Sequence, residues 1–240
     1  MHLTIGWLYG TKMNIYGDRG NILTLEQRAR WRGIPATTVE IGLGQPIPAE
    51  VDLFFFGGGQ DREQIAVSND LQGTKGETLK AALDEGAAML AVCGGYQLLG
   101  HGYRPHEGPF LPGIGFFDLV TEAGPERFIG NVVVDSPFGE LVGFENHSGL
   151  TTLGPDLQPL GTVRVGRGNN GRDGTEGARC HNAVGCYLHG ALLPKNPQLA
   201  DWLLTAALRR RHGEVDLPRL DDSHELTAHA SAVERALRTR

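Results

Sequence analysis

Short apolar runs alternate with amphipathic segments along the first half of the chain. The runs predict strands over residues 2–8, 37–41, 52–56 and 89–92. Helical spacing of apolar residues predicts a helix over 19–32, and a second helix is predicted over 74–85 with Gly86 at its stop. Alternating strands and helices indicate βαβ units, which build a parallel sheet.

The second half of the chain has short β-prone pieces and dense glycine. Strands are predicted over residues 115–120, 128–134, 142–145 and 161–165. A further apolar run, residues 184–188, resembles the buried strands of the first half. We therefore expect an α/β fold with an open, mostly parallel sheet flanked by helices and with added antiparallel strands.

The C-terminal part has a helical pattern. One helix is predicted over 197–211, with Asn196 as N-cap and Pro197 at its first position. A second helix is predicted to start at Asp222 or Ser223, with an apolar stripe of Leu226, Ala230, Val233 and Leu237. The stripe packs on its own domain or, alternatively, on another subunit. We expect one domain over 1–208 and a C-terminal helical extension over 209–240 that is not an independent domain.

Cys93 follows the predicted strand 89–92 and precedes Gly94 and Gly95, which open a helix. This is the layout of a nucleophile elbow, in which a sharp strand-to-helix turn exposes a reactive side chain. The N–H groups at the start of a helix stabilise a thiolate, the form of cysteine that acts as a nucleophile. The alternative is a buried cysteine that only packs at the end of a strand.

His189 lies at the end of the apolar run 184–188. Ligands bind beyond the carboxyl ends of strands in an open parallel sheet, so Cys93 and His189 are predicted to meet there as an acyl-transfer pair. Gly57, Gly58 and Gly59 follow a third buried strand. Their backbone N–H groups, with that of Gly94, are candidate donors to an oxyanion.

Composition limits the class of protein. The chain has 240 residues and a formal net charge of −6, which gives no electrostatic reason to expect nucleic acid. Its three cysteines are an odd number and argue for a reducing compartment. No apolar run approaches the roughly 20 residues of a membrane span, and the N-terminus lacks a signal-peptide pattern. We expect a cytoplasmic protein without a transmembrane segment.

A zinc site is an alternative for the sulfur and imidazole groups of Cys180, His181, Cys186 and His189. Their spacing is not that of a standard zinc-ligand arrangement, and alternate side chains of a strand point to opposite faces. The sequence therefore favours a chain that binds no metal.

These segments resemble the class I (triad) glutamine amidotransferases, and within them the cobyric-acid-synthase-like branch, where the elbow has the sequence CGGYQ. More narrowly, the chain is similar to the GatD-like family of glutaminase subunits. The similarity extends to about Leu208 and is carried, in order, by LYGTKMNIYGDRGNILTL, FGGGQDREQ, the elbow, RFIGNVV, GFENHSG and YLHGALLPKNP. The resemblance implies a flavodoxin-like sheet of the class I amidotransferase kind.

The chain departs from the wider family pattern at two positions. Ala91 stands where the family has a glycine before the nucleophile, and Ala191 stands where the usual triad has a glutamate after the histidine. A carboxylate at the second position would orient the imidazole. Here His189 needs another partner, for which a backbone carbonyl, Asp18 and Glu145 are candidates.

The resemblance also implies a substrate and a partner. L-glutamine would be held by Arg127, with Gln97, Asn146 and His147 as further pocket candidates. Glutamate and ammonia would be the products. No ATP motif stands out in the sequence, so ATP and metal are expected on a partner subunit. The resemblance implies that this partner is a MurT-like Mur-ligase subunit that forms a heterodimer with this chain. The partner would amidate D-glutamate of the lipid II stem peptide at the inner face of the membrane. The alternatives are another acceptor, such as a corrinoid carboxylate, and a non-catalytic scaffold of the same fold.

Overall fold

Two six-stranded sheets organise the part of the chain that the computed structural model describes, residues 1–239 without the side chain of Asp61. The first part contains, in order, β1 (Leu3–Leu8), α1 (Arg19–Trp31), β2 (Ala36–Ile41), β3 (Leu53–Phe56), α2 (Asp61–Asp70), α3 (Thr74–Asp84), β4 (Ala88–Val92) and α4 (Gly94–Leu99). The second part contains β5 (Gly102–Arg104), β6 (Leu111–Pro112), β7 (Leu119–Ser136), β8 (Gly139–Leu153), β9 (Gly161–Val165), β10 (Thr175–Glu176), β11 (Ala178–Cys180), β12 (Ala183–Cys186), α5 (Leu192–Lys195), α6 (Pro197–His212) and α7 (Ser223–Arg238).

The first sheet has the strand order β11-β12-β4-β3-β1-β2. Its strands run parallel except β11, which pairs antiparallel with β12 at one edge. Every residue of β3 and β4 is buried, as expected for central strands covered on both faces. The predicted open, mostly parallel α/β sheet is confirmed.

The second sheet is built on the antiparallel pair β7 and β8. β9 and β5 also pair with β7, while β10 and β6 form the outer strands. The pairing of β7 with β8 is interrupted between Ala123 and Phe128, where four residues of β7 stand opposite Ser148. Such a bulge bends a strand and redirects its side chains. This one brings Arg127 to the edge of the first sheet's ligand-binding end.

Several predicted strand boundaries differ from the structure. Residues 115–118 are not a strand, because β7 begins at Leu119. The strand predicted over 184–188 ends at Cys186, so Tyr187 and Leu188 continue as irregular backbone. Helix α2 was not predicted. The predicted domain boundary after residue 208 falls inside α6, which continues to His212, and Arg240 of the predicted extension lies outside the described residues.

The apolar face of α7 differs from the predicted stripe. Val233 and Ala236 are buried against Val133, Val142 and Val165 of the second sheet. The other predicted members are exposed, with Leu226 at 55% and Leu237 at 41% exposure, and Ala230 is exposed as well. Helical spacing of apolar residues is compatible with both the predicted stripe and the buried residues that the structure shows. The position of the three valines on the sheet decides which residues of α7 are buried.

A buried arginine ties the C-terminal helices to α1. Arg28 is 1% exposed and binds both carboxylate oxygens of Asp201 in α6, each at 2.7 Å. It also donates to Asp222 at the start of α7, with the shortest contact at 2.6 Å. Paired, bidentate geometry compensates for the loss of hydration of the guanidinium group.

Among the described residues, no helix is both long and apolar enough to cross a membrane.

We predict that Arg28→Ala lowers the free energy of unfolding by about 3 kcal/mol, because Asp222 loses its buried cation and Asp201 keeps only Arg32. Urea denaturation followed by circular dichroism measures this loss. Lys80→Ala is the matched control, since its ion pair with Asp84 lies on the surface and contributes little. A loss in Arg28→Ala no larger than that of the control would show that the network does not stabilise the fold.

Candidate active site

The turn between β4 and α4 has the strained geometry of a nucleophile elbow. Cys93 has φ 52° and ψ −110°, a backbone conformation that residues other than glycine rarely adopt. The next turn packs tightly on the end of β3, where Gly95 donates its N–H to Gly57 O at 3.1 Å. A Cβ on Gly95 would lie 2.5 Å from Phe56 O, so the elbow requires glycine there. The prediction of an elbow at Cys93 agrees with this geometry.

Strand pairing brings His189 to the elbow. Cys93 donates its N–H to Cys186 O at 2.8 Å, which continues the parallel register of β4 and β12. His189 follows three residues later, and its backbone exchanges two hydrogen bonds with Phe144 of β8. Both sheets therefore fix the position of this histidine.

Asp18 is the partner that orients His189. The Nδ1 atom of His189 lies 3.2 Å from Asp18 Oδ1, and both side chains are fully buried. Asp18 Oδ2 accepts the N–H of Gly58 at 2.9 Å. Glu145, the other carboxylate candidate, instead accepts N–H groups of Arg167 and Gly168. Because a carboxylate accepts, Nδ1 of His189 carries a proton, and Nε2 is the ring nitrogen that remains for acid and base chemistry.

Close packing explains how Asp18 replaces the missing triad carboxylate. A Cβ on Gly20, in the first turn of α1, would lie 2.6 Å from the Ala191 Cβ. The small residues at both positions allow the N-terminus of α1 to approach the segment after His189. Asp18, at the N-cap of α1, makes no capping bond with its side chain, which is turned to the imidazole instead.

The electrostatic environment favours a protonated His189. Burial lowers its pKa, but the interactions with Asp18 and Cys93 together act more strongly and raise the pKa of His189 to about 10. Among the described residues, Nε2 of His189 is buried and has no hydrogen-bond partner. The ring of Tyr16 packs edge-on against the imidazole, with 4.9 Å between ring centroids.

The space around Gly58 shows how closely the two candidate catalytic side chains converge. A Cβ at Gly58 would lie 3.1 Å from His189 Cε1 and 3.2 Å from Cys93 Cβ. A side chain at this position would push on both residues.

A cavity of about 550 Å³ opens beside Cys93. The predicted residues Cys93, Gln97, Arg127, Asn146 and His147 line it, together with residues that the sequence analysis did not single out. The lining residues are Ile15, Tyr16, Gly59, Gln60, Arg62, Gln64, Cys93, Gln97, Tyr103, Arg127, Ile129, Asn146, His147, Ser148 and Gly149.

The three glycines after β3 differ in their contacts, whereas the sequence analysis gave all three the same role. The N–H of Gly58 is bound by Asp18, so the prediction that it serves an oxyanion is not supported by its hydrogen bond. Gly57 packs against Met13, whose carbonyl oxygen would be 2.3 Å from an added Cβ. Gly59 lines the cavity, and Gly94 begins the helix beside Cys93. Gly59 and Gly94 thus remain the candidate oxyanion donors.

The bulge of β7 places Arg127 at the cavity. Its guanidinium group donates to the Asn146 side-chain oxygen at 2.8 Å and to the Asn146 carbonyl oxygen at 3.3 Å. A guanidinium group has five donors in a fixed plane, so it can bind a carboxylate while it keeps this contact. The geometry fits the predicted role of Arg127 in binding an amino-acid substrate.

The floor of the cavity is a chain of hydrogen bonds between buried side chains. Gln64 donates to Gln97 at 2.8 Å, and Gln97 donates to the Tyr187 hydroxyl at 3.1 Å. The Tyr187 hydroxyl lies 2.7 Å from Thr151 Oγ1. His147 stacks on Tyr187 with 3.6 Å between ring centroids. Gln97 and His147 both line the cavity.

A buried carboxyl group tethers the segment that carries His189. Glu176 accepts the N–H of Tyr187 at 2.5 Å, directly after β12 ends. Burial raises the pKa of Glu176 to about 8, although the Tyr187 N–H stabilises its ionised form. The sequence analysis did not single out this residue, Tyr16, Gln64 or Tyr187, because their roles depend on tertiary contacts that neither apolar runs nor the quoted motifs show.

No group of three or more His, Cys, Asp and Glu side chains within residues 1–239 is arranged to hold a metal ion. Burial raises the pKa of both Cys180 and Cys186, which favours the neutral thiol over the thiolate that binds zinc.

Proteins of similar sequence are glutamine amidotransferases. The model of the CobB/CobQ-like glutamine amidotransferase domain matches residues 4–197. The GatD subunit of lipid II isoglutaminyl synthase (glutamine-hydrolyzing) from Staphylococcus aureus is 42% identical, with 99% of this chain and 98% of that protein covered. The same subunit from Streptococcus pneumoniae is 40% identical over 92% of this chain and 86% of its own length. Cobyric acid synthase of Sphingopyxis alaskensis is 31% identical over 78% of this chain, which spans 39% of that enzyme.

Solved structures show the same fold. A glutamine amidotransferase from Thermotoga maritima superposes with a TM-score of 0.57 at 16% identity and with full coverage of both chains. Another glutamine amidotransferase gives a TM-score of 0.56 at 17% identity, covering 85% of this chain and 98% of the other. With a family model that spans most of the sequence and relatives similar over nearly its whole length, the chain belongs to the CobB/CobQ-like family of glutamine amidotransferases.

Proposed function

We propose that the chain is the glutaminase subunit of a lipid II isoglutaminyl synthase, with Cys93 as nucleophile and His189 as acid and base. The observation that carries the proposal is the convergence of Cys93 and His189 at the elbow, with Asp18 behind the imidazole. Similarity to two GatD subunits over more than nine-tenths of the chain supports the wider role.

The first half of the reaction forms a thioester. The Cys93 thiolate attacks the side-chain carbonyl carbon of L-glutamine, and the carbonyl electrons move to its oxygen. The N–H groups of Gly59 and Gly94 stabilise this oxyanion. The His189 imidazolium gives its Nε2 proton to the amide nitrogen, the carbon–nitrogen bond breaks, and ammonia leaves.

The second half hydrolyses the thioester. Neutral His189 takes a proton from water while the water oxygen attacks the thioester carbonyl carbon. The carbon–sulfur bond breaks, glutamate leaves, and the thiolate and imidazolium are restored. Arg127 binds the α-carboxylate of glutamine throughout, at the end of the cavity bounded by Asn146.

Ammonia is the useful product and passes to a synthetase partner. The relatives are named as subunits, which supports a complex. We identify the partner as a MurT-like Mur-ligase subunit in a heterodimer. This subunit holds ATP and metal and converts D-glutamate of the lipid II stem peptide to D-isoglutamine at the cytoplasmic face of the membrane. The glutaminase chain needs no cofactor for its own chemistry.

Cys93→Ala is predicted to abolish glutamine hydrolysis without changing the fold, because it removes the nucleophile and little packing. Glutamate release measures the loss, and thermal unfolding checks the fold. Cys180→Ala is the matched control, since this partly exposed thiol lies outside the cavity, and it retains full activity. Equal activity of wild type and Cys93→Ala would remove this residue from the mechanism.

Asp18→Asn is predicted to lower kcat by roughly 10²–10⁴-fold, because the imidazole loses the group that fixes its orientation. The same change lowers the pKa of His189 from about 10. His189 then loses its proton at lower pH, and the basic limb of the kcat/KM profile moves toward neutrality. Rates measured from about pH 6 to about pH 11 test this shift.

Asp52→Asn is the control for Asp18→Asn. Asp52 is also a buried carboxylate beside the parallel sheet, but it binds Thr4 N and Arg211. We expect kcat/KM of Asp52→Asn to depend on pH as it does in the wild type. An unchanged basic limb in Asp18→Asn would contradict the proposed role of that carboxylate.

Adding the MurT-like subunit, ATP and lipid II to this chain is predicted to give amidated lipid II from glutamine. Mass spectrometry of the stem peptide measures the product. With the Cys93→Ala chain, amidation should require free ammonium at high concentration, because the synthetase site is intact. Absence of a complex and of amidation would reject this acceptor, and amidation of a corrinoid carboxylate by another partner would replace it.

A further inference from the structure

Tyr16 has a backbone conformation that is unfavourable for an aromatic residue. Its φ is 55°, and that of Gly17 is 79°. Asp18 donates its N–H to Ile15 O at 3.2 Å, so these four residues close a β-turn in which both central residues have positive φ. This is the pattern of a type I′ turn, whose central positions favour Gly, Asn and Asp. A bulky side chain there adds backbone strain.

Both ends of the turn are fastened to the same glycine of the loop after β3. Ile15 donates its N–H to Gly58 O at 3.3 Å, and Asp18 Oδ2 accepts the Gly58 N–H at 2.9 Å. The chain must therefore reverse between Ile15 and Asp18. The residue at the tip of this turn, Tyr16, is held in place by the same contacts that hold the carboxylate behind His189.

The ring of Tyr16 lies against the imidazole of His189. The ring centroids are 4.9 Å apart, and the ring planes make an angle of 72°. Tyr16 lines the cavity beside Cys93 and is 47% exposed, whereas His189 is fully buried. The imidazole therefore has a carboxylate at Nδ1 and an aromatic ring against it that also forms part of the cavity wall.

The strained turn does little for the core of the protein. Nearly half of the Tyr16 side chain is exposed, so its burial contributes less than that of a core aromatic residue. A Cβ added to Gly17 would meet no atom of the described residues within 4 Å, so this side of the turn is unpacked. Backbone strain of this kind occurs most often where a site requires it. The contact of Tyr16 with His189 is the feature that accounts for it.

We infer that Tyr16 is a positioning residue for the glutaminase reaction, and that its ring holds the His189 imidazole in the orientation that Asp18 selects. This inference rests on the proposed glutaminase function. Asp18 fixes only the Nδ1 end of the imidazole, which leaves the ring free to tilt about that hydrogen bond. An aromatic ring packed against the imidazole opposes the tilt. Nε2 then keeps the position from which it exchanges protons with the leaving nitrogen and with water.

The test compares Tyr16→Phe, which keeps the ring, with Tyr16→Asn, which removes the ring and suits a positive φ. Glutamate release from L-glutamine gives kcat and KM, and thermal unfolding gives Tm. For Tyr16→Phe we expect kcat and KM within about threefold of wild type. For Tyr16→Asn we expect kcat to fall roughly tenfold to a hundredfold, with KM within about threefold of wild type. We expect its Tm to stay within about 2 °C of wild type or to rise, because relief of strain offsets the lost packing.

His181→Asn is the matched control. His181 also has positive φ, at 50°, but it is exposed and lies outside the cavity. The same substitution therefore relieves strain of the same kind at a distance from the site. We expect its kcat and KM to equal those of wild type and its Tm to be unchanged or higher.

Four results would overturn the inference while the proposed function stands. A Tm of Tyr16→Asn that falls together with activity would show that the ring only stabilises the fold. A higher KM with unchanged kcat would show that the ring only forms the wall of the cavity. Unchanged kinetics in Tyr16→Asn would remove any role in the reaction, and equal losses in both Tyr16 variants would assign the role to the hydroxyl group. A wild-type chain that releases no glutamate even with its synthetase partner would instead overturn the proposed function, and the inference with it.

Discussion

A single buried carboxylate holds the candidate site together. Asp18 contacts the His189 imidazole with one oxygen and the Gly58 N–H with the other. These contacts join the N-terminus of α1, the loop after β3 and the segment after β12. A buried charge is stable only when it is paired and hydrogen-bonded. Each of these segments is therefore constrained by the others, and the proton on Nδ1 of His189 depends on all three.

The order of strands explains why residues so distant in sequence meet. Strands β12, β4, β3 and β1 are neighbours and run parallel. Their carboxyl ends lie along one edge, where ligands bind in open sheets. His189, Cys93, the glycine loop and Asp18 each follow one of these strands. The second sheet contributes from one side only, by the bulge of β7 and the adjoining part of β8, so it closes the cavity without forming the elbow.

The central strands and the two candidate catalytic residues could be predicted, because chemically reactive side chains follow apolar runs in the sequence. Apolar runs locate the central strands, and the candidate reactive residues, Cys93 and His189, follow two of these runs. Asp18 remained one of several candidates because the segment between β1 and α1 has no periodicity, and its path depends on close packing of Gly20 on Ala191. The stripe on α7 was misassigned because spacing cannot show where Val133, Val142 and Val165 lie. Tertiary packing decides both cases.

Several local costs of this fold lie at the candidate site. Cys93, Tyr16 and Ala191 have positive φ although none is glycine, and the Nε2 atoms of His147 and His189 are buried without a partner among the described residues. Strained backbone and unpaired polar atoms persist only when the surroundings determine them strongly. Here the surroundings are a fully buried sheet and a hydrogen-bonded floor. Donors and acceptors that are fixed before glutamine arrives need no reorganisation during the reaction, which is how a preorganised site lowers the barrier.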